Sequence, residues 1–279
     1  MAMALAPVVS RLLGASEMRA KSRRPLMNLN HAIFSFAYAS SALFAGFARE
    51  IGLTPFQVFA ILFLVTMVLI LGMGGSDGRS DDTHEGGASQ SKLSWMLLAP
   101  AGAIVLIAFM TEQATEGWSA LHLERNLGAG AAMGALGPAI LGLTMGVGRL
   151  SGQFMAAHYS EAFVIRVAAV LAAFGTTLAA ISPSLWMAYL GFAILGLGVS
   201  VVAPMAFAWI GRVVPDRHRV QAISRVAVIG YAGFFIGPPL MGFLSEGFGL
   251  NTSFAAIAII LLIVPVVLVP MLKRRAAIA

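Results

Sequence analysis

Two glutamates interrupt an apolar stretch of the sequence and are the side chains best suited to chemistry within it. Glu112 and Glu116 are four residues apart, and this spacing places both carboxyl groups on one face of a helix. A carboxyl group that is partly shielded from water can exchange a proton near neutral pH. We therefore interpret the pair either as a proton-binding or solute-binding site, or as two hydrated residues at the end of the helix.

Three further side chains stand out by residue type. Trp118 could stack on a sugar ring, or could anchor its helix among lipid headgroups, where tryptophan is enriched. Arg149 could be an anchor whose long side chain reaches the membrane surface. His31 could join a proton path, or could be a hydrogen-bonded structural residue.

Several kinds of chemistry have no support in the sequence. The chain has no cysteine, which excludes disulfides, thiolate metal sites, iron–sulfur ligation and a cysteine nucleophile. It also lacks paired histidine ligands, a serine nucleophile motif and a glycine-rich phosphate loop. We expect no cofactor, no bound metal and no enzyme activity.

The composition indicates the class of protein that must position these residues. Of 279 residues, 59% are hydrophobic and 11% are charged, and the mean hydropathy is +0.87. A soluble domain is about half apolar and about a quarter charged, so a soluble enzyme, a disordered chain and a fibrous protein are excluded. The net charge of +6 is spread thinly and makes no basic face, so no nucleic-acid partner is expected.

Long apolar stretches divide the chain into helices that could cross a bilayer, for which about 20 apolar residues are needed. The predicted fold is therefore all-α, a polytopic membrane protein with about eight transmembrane helices. The eight stretches are Leu26 to Phe47, Leu53 to Met73, Ser94 to Thr115, Ala129 to Leu150, Phe163 to Ile181, Leu185 to Ile210, Ala222 to Leu244 and Thr252 to Leu272.

The positions of lysine and arginine predict the orientation, because cytoplasmic segments retain these residues. If the N-terminus is inside, 16 of the 18 basic residues fall on the cytoplasmic side, Arg149 among them, and only Arg49 and Arg125 fall outside. Both termini are therefore predicted to be cytoplasmic.

A polar segment and a weak repeat organise the chain. The polar segment, 74–92, is predicted to be a cytoplasmic linker, since its acidic residues do not have the spacing of a calcium loop. The repeat relates Tyr38-Ala39 and Gly46-Phe47-x-x-Glu50 to Tyr231-Ala232 and Gly242-Phe243-x-x-Glu246. These blocks lie six predicted helices apart and run in the same direction, as in a transporter built from two parallel repeats.

Four motifs resemble those of the major facilitator superfamily, and within it the sugar-permease-like bacterial branch. They are Glu116-Gly117-Trp118-Ser119-Ala120, Gly148-Arg149-Leu150-x-Gly152, Gly196-x-Gly198 with Pro204, and Gly230-Tyr231-x-Gly233-x-x-x-Gly237-Pro238-Pro239. Because the first motif begins at Glu116, the resemblance favours this residue over Glu112. Gln153 departs from the family pattern, in which an acidic residue usually follows the second motif.

The resemblance implies a partial, N-terminally truncated member of a family with twelve spans, located in the cell's inner membrane. The implied domains are a cytoplasmic segment 1–25, two helices of the N-terminal half within 26–73, the linker 74–92, a six-helix C-terminal half within 93–272, and a cytoplasmic tail 273–279.

The implied function is a secondary transporter that moves a sugar, metabolite or drug by alternating access, with coupling to protons as an option. Its expected partners are the lipid bilayer, a small-molecule substrate and protons. The alternative is an inactive remnant or a non-transporting membrane subunit.

Glycines and prolines in these motifs are candidates for gating, and for Arg149 the resemblance implies a gate contact with the other half of the transporter. Gly148 and Gly152, like Gly233 and Gly237, put small residues on one helix face, which lets helix backbones approach closely. The pair Pro238-Pro239 removes backbone donors and is expected to bend its helix. The same residues are equally consistent with close packing and ordinary kinks.

Overall fold

The computed structural model describes the backbone of residues 27–72 and 94–277 and, except for residues 27–33, 72 and 153, their side chains. This part of the chain is helical and contains no strand, which confirms the predicted all-α class. The predicted cytoplasmic segment 1–25 and the linker 74–92 lie outside the described residues.

Each of the eight predicted stretches contains helix, and the seventh and the larger part of the eighth lie in one helical element, α7. The helices are α1 (Met27–Glu50), α2 (Pro55–Gly72), α3 (Trp95–Leu127), α4 (Leu136–His158), α5 (Glu161–Ala180), α6 (Leu185–Val213), α7 (Asp216–Ile263) and α8 (Val269–Ala276). A single turn of helix, Ala131–Gly134, precedes α4, and a π-helical segment, Val264–Leu268, joins α7 to α8.

Five stretches of the described chain are long and apolar enough to cross a membrane. They are Trp95–Leu127, Ala131–His158, Glu161–Ala180, Leu185–Val213 and Asp216–Ala276. Helix α2 is apolar but shorter, and α1 is not among the five. The last stretch holds 61 residues, far more than a single crossing of the bilayer needs.

This last stretch folds back on itself at Gly249. The backbone there leaves the helical region, with φ 80° and ψ 164°, a conformation open to glycine because it has no Cβ. Before the reversal, Gly242 lies near Trp118 of α3. After it, Asn251 accepts a hydrogen bond from Asn126, and Arg275 reaches Met96 at the opposite end of α3. Residues 216–248 and 250–276 are therefore two antiparallel arms, which we call the first and second arms.

The second arm contains two prolines that account for its π-helical segment. Pro265 and Pro270 have no N–H and clash with the preceding turn of a regular α-helix. The backbone widens instead, so that the N–H of Val269 donates to the carbonyl of Val264. Such a turn keeps a proline-containing helix continuous.

Helix α3 is longer than predicted. The sequence prediction ended it at Thr115, whereas the helix continues to Leu127 and stops where Gly128 adopts φ 69°. Polar residues lowered the apparent hydropathy beyond Thr115, but Ser119 and His122 are buried against neighbouring helices. His122 bonds the carbonyl of Ala179 at 3.1 Å. Glu112 and Glu116 therefore lie well inside α3 and not at its end.

The helices from α3 onward pack at glycines. A Cβ at Gly233 would meet the carbonyl oxygen of Leu106, and one at Gly237 would meet the backbone of Met110, so the first arm touches the backbone of α3. Gly198 lies in the same way against Ala168. Small residues replace hydrophobic attraction as the basis of helix association inside a membrane.

Helix α1 packs against other helices, whereas α2 makes few contacts with the rest of the described chain. α1 packs on α4, where Tyr38 lies against Gly142 and Ser35 against Gly146. The end of α1 also contacts α3, because Arg49 forms an ion pair with Glu124 of α3 at 2.8 Å. Along α2, in contrast, Val58 alone is buried among the residues whose side chains are described.

Candidate functional site

An ion pair near the middle of the bundle joins α3 to α4. A terminal nitrogen of Arg149 lies 3.1 Å from Oε1 of Glu112, and the two side chains are 17% and 13% exposed. The other terminal nitrogen of Arg149 donates to the hydroxyl of Ser35 on α1 at 3.4 Å. Charges in an apolar environment are costly unless they are paired, so this pairing explains how both are retained.

The ion pair corrects two positions inferred from the sequence. Glu112 was placed near the outer end of its span, and Arg149 at the cytoplasmic end of the fourth. Both helices continue further, α3 to Leu127 and α4 to His158, which brings the two residues to the same level. Arg149 is therefore neither at a helix end nor exposed at a membrane surface.

Glu116 lies one helical turn beyond Glu112 and is partly buried. Both carboxyl groups line a small void together with Arg149, and the same void is lined by Ser35 and Tyr38 of α1. Two carboxyl groups thus lie beside a single guanidinium group. Among the described residues, no cluster of three or more His, Asp or Glu side chains could hold a metal ion.

The ion pair also lines a cavity of about 620 Å³. Glu112 and Arg149 form its charged part, and Ser200 and Tyr231 add hydroxyl groups. The rest is apolar and comes from α3, α4 and α6, whereas the first arm contributes Tyr231. The remaining lining residues are Ala108, Phe109, Gly152, Ala156, Val199, Val201, Ala203, Pro204, Met205 and Phe207. A volume of this size suits a small organic solute.

One wall of the cavity is aromatic. The ring of Phe109 stacks on Phe234, with centroids 4.5 Å apart, and on Tyr231 at 5.6 Å. Phe109 precedes Glu112 by three residues, so the ring and the carboxylate share a helix face. The site therefore presents an acidic group, a basic group and a flat aromatic surface together.

The remaining sequence candidates are distributed around this site. Gly152 lines the cavity, and Gly148 packs against the side chain of Ser200 on α6. Trp118 packs against the hydrophobic core and is not among the residues that line the cavity. The side chain of His31 lies outside the described residues.

Gly233, Gly237 and the two prolines belong to the first arm. The two glycines contact α3. The backbone stays helical through Pro238 and Pro239 and departs from helical geometry only at Gly249 within α7. These residues shape the packing of the arm that carries Tyr231 and Phe234.

Sequence reasoning missed several residues of the site. Phe109, Ser35 and Tyr38 were not identified, although the three-residue spacing of Phe109 and Glu112 was visible. A second polar network was missed as well: Asn126 contacts the ring of His122 at 3.3 Å and also donates to Asn251. No sequence signal identifies partners that lie on separate helices.

Comparisons with known proteins agree with this architecture. The family model described as Major Facilitator Superfamily matches residues 101–277. An uncharacterized transporter of Sinorhizobium fredii is 31% identical over 93% of this chain and 69% of its own length. An uncharacterized MFS-type transporter of Yersinia pestis is 26% identical over 87% of this chain and 63% of its own length.

A solved structure shares the fold. It is a bacterial homolog of the human lysosomal transporter Spinster, in an inward-facing and occupied conformation, with a TM-score of 0.62 and 19% identity. The similarity covers 88% of this chain and 67% of that one. The family match, the transporter relatives and the shared helical fold lead to one conclusion: this chain is a multi-pass membrane protein that belongs to the Major Facilitator Superfamily of transporters.

Proposed function

We propose that this chain moves a small solute across the bacterial inner membrane by alternating access, coupled to protons. The observation that carries the proposal is the Glu112–Arg149 ion pair in the wall of the 620 Å³ cavity. The pair lies near the middle of two long helices, which is where secondary transporters bind substrate. A paired charge at this depth is costly to retain, and such groups mark ion or substrate pathways.

Coupling to protons follows from the two carboxyl groups. An arginine keeps its charge at all relevant pH values, whereas a carboxyl group can be neutralised by a proton. Uptake or release of a proton at Glu112 or Glu116 therefore changes the charge that faces the cavity. Such a change can shift the equilibrium between the inward-facing and outward-facing conformations, so that it differs between the protein with a bound solute and the protein without one.

The relatives support transport as the activity. They are longer than this chain, which spans 69% and 63% of the two transporter relatives described above. We therefore include in the proposal that these 279 residues carry solute across the membrane. We further propose that both termini are cytoplasmic, as the distribution of lysine and arginine indicates.

Transport is tested with liposomes that contain the purified chain, a trapped pH-sensitive dye and an imposed pH gradient. Three phenyl probes that carry no protons across lipid by themselves are added in turn: phenyltrimethylammonium, benzenesulfonate and phenyl β-glucoside. We expect at least one probe to dissipate the gradient faster than in protein-free liposomes. If all three leave the gradient unchanged, the transport proposal is wrong.

The exposed Glu246 provides a matched control for the role of the ion pair. It lies on the first arm, outside the cavity and the small void. The substitution Glu246→Gln should leave the flux at the level of the unmodified protein, whereas Glu112→Gln should abolish it.

A further inference from the structure

We infer that the transported solute is an organic cation with an aromatic or apolar body, which is exchanged for one proton as Arg149 moves its ion pair from Glu112 to Glu116. This inference rests on the proposed transport function and adds to it the substrate class and the role of each charged group. It is carried by the charge balance of the site, by its geometry and by the aromatic wall.

The charge balance requires one additional positive charge. Glu112, Glu116 and Arg149 line one small void, and they supply two carboxyl groups against one permanent cation. An unbalanced charge in a membrane interior is costly, so the cluster favours a state in which one further unit of positive charge is bound. A proton on one carboxyl group supplies it, and so does a cationic solute. An anionic solute would increase the imbalance.

The geometry assigns different roles to the two glutamates. Glu112 and Arg149 line both the cavity and the small void, whereas Glu116 lines only the void. A solute in the cavity can therefore reach Glu112 directly, while Glu116 borders the void and not the cavity. In the structure Arg149 is paired with Glu112, which leaves Glu116 as the carboxyl group that holds the proton.

The aromatic wall selects the charge and the body of the solute. Phe109 and Tyr231 line the cavity beside Glu112, and their rings stack on each other and on Phe234. Aromatic faces attract cations, and the mainly apolar lining favours an apolar body. A sugar would need many hydrogen-bonding groups, and the described wall offers few beyond Ser200, Tyr231 and the charged pair.

The exchange can be written with balanced charge. The ammonium group of the solute forms an ion pair with Glu112, and Arg149 swings to Glu116. The O–H bond of Glu116 breaks as its oxygen pairs with Arg149, and the proton leaves to water. The net charge of the cluster plus its bound cation is zero before and after the exchange.

Among the side chains that the structure describes, few other titratable groups face Glu116. Tyr38 of α1 and Arg149 of α4 share the void with it, and Glu112 precedes it on α3. The tyrosine remains neutral over the physiological range. The proton released on binding is thus expected to come from Glu116.

The test measures binding to the full 279-residue chain in detergent by titration calorimetry in two buffers with different ionisation enthalpies. We expect phenyltrimethylammonium to bind and to release one proton, and the dissociation constant to fall about tenfold for each unit rise in pH while Glu116 is protonated. Benzenesulfonate and phenyl β-glucoside should not bind. Preferential binding of either of these two probes, no binding of the cation, or cation binding without proton release would overturn the inference.

Variants separate the two glutamates. Glu112→Gln removes the partner of the solute and should weaken cation binding at least tenfold. Glu116→Gln removes the destination of Arg149 and the released proton, so binding should weaken and lose its pH dependence. Glu246→Gln should behave like the unmodified chain. Retention of proton release in Glu116→Gln would contradict the assignment, and the thermal transition of each variant shows that it is folded.

Failure of this inference can be distinguished from failure of the transport proposal. If liposomes move benzenesulfonate or phenyl β-glucoside but not the cation, transport stands and the substrate class is wrong. If the cation binds with proton release but crosses no membrane, the charge exchange stands and transport by this chain is wrong.

Discussion

At the scale of single residues, the central feature is a guanidinium group with two neighbouring carboxyl groups. Arg149 pairs with Glu112, and Glu116 lies within the same void. The availability of a second carboxylate means that loss of one need not leave the arginine unpaired. This redundancy makes the effect of paired substitutions strongly non-additive.

Stability measurements test the redundancy. We expect Glu112→Gln and Glu116→Gln each to lower the free energy of unfolding by about 1 kcal/mol or less, because the other carboxylate can pair with Arg149. The double variant leaves a buried arginine without a counter-ion and should cost about 3–5 kcal/mol. Thermal unfolding in detergent, followed by tryptophan fluorescence, measures all three. Additive effects of the two single changes would contradict a shared partner.

The shape of the arginine side chain matters as well as its charge. One terminal nitrogen of Arg149 contacts Glu112 and the other contacts Ser35, a planar fork that the single ammonium group of lysine cannot reproduce. Arg149→Lys should therefore reduce flux of the transported probe by about tenfold or more while retaining the fold. Arg166→Lys, at an exposed position on α5, is the matched control. Equal flux in the two variants would show that charge alone is sufficient.

Only part of this site could be predicted from the sequence. Glu112, Glu116 and Arg149 were identified because charged residues stand out in apolar stretches. Their pairing could not be foreseen, since α3 and α4 must first be aligned. That alignment depends on α3 extending to Leu127, beyond the point where hydropathy falls.

At the scale of helices, glycines set the distance between the first arm and α3. The backbones touch at Gly233 and Gly237, and this contact positions Tyr231 and Phe234 beside Phe109. The sequence predicted close approach at this motif because small residues repeat on one face. Which helix they would approach was not evident from the repeat.

A pair of glycine substitutions tests this contact. A Cβ at Gly233 would collide with the carbonyl oxygen of Leu106, whereas one at Gly117 would meet nothing within 4 Å. Gly233→Ala should lower the free energy of unfolding by about 1–3 kcal/mol through overpacking. Gly117→Ala should raise it by about 0.5–1 kcal/mol, because alanine is the better helix former. Equal stability of the two variants, measured by thermal unfolding, would exclude a tight contact at Gly233.

At the scale of the whole molecule, the positions of the helices could be predicted from the sequence. The predicted orientation depends on the unequal distribution of lysine and arginine between the two sides of the membrane. Within the described residues, each of the eight predicted apolar stretches contains helix, and the seventh and eighth belong to one stretch, Asp216–Ala276, that reverses at Gly249. Arg149 was counted among the cytoplasmic residues, but it lies within the bundle, paired with Glu112. Removing it from the count leaves the asymmetry of lysine and arginine in place.

The absence of cysteine from the chain allows a direct test of this topology. Single substitutions Ser76→Cys, Ile51→Cys and Ala279→Cys can each be labelled with a membrane-impermeant thiol reagent in intact cells. We expect labelling of Ile51→Cys, which follows α1 at an exposed position. The other two should react only after the cells are opened. Labelling of Ser76→Cys and Ala279→Cys on opposite sides would contradict the predicted orientation.

The reversal at Gly249 has a consequence for the reach of the chain. The 61 residues from Asp216 to Ala276 would form a straight rod of about 90 Å if they were one uninterrupted helix. Such a rod is about three times as long as the hydrocarbon layer is thick. A single pair of backbone dihedral angles, φ 80° and ψ 164°, therefore decides from which face of the membrane the C-terminal residues emerge.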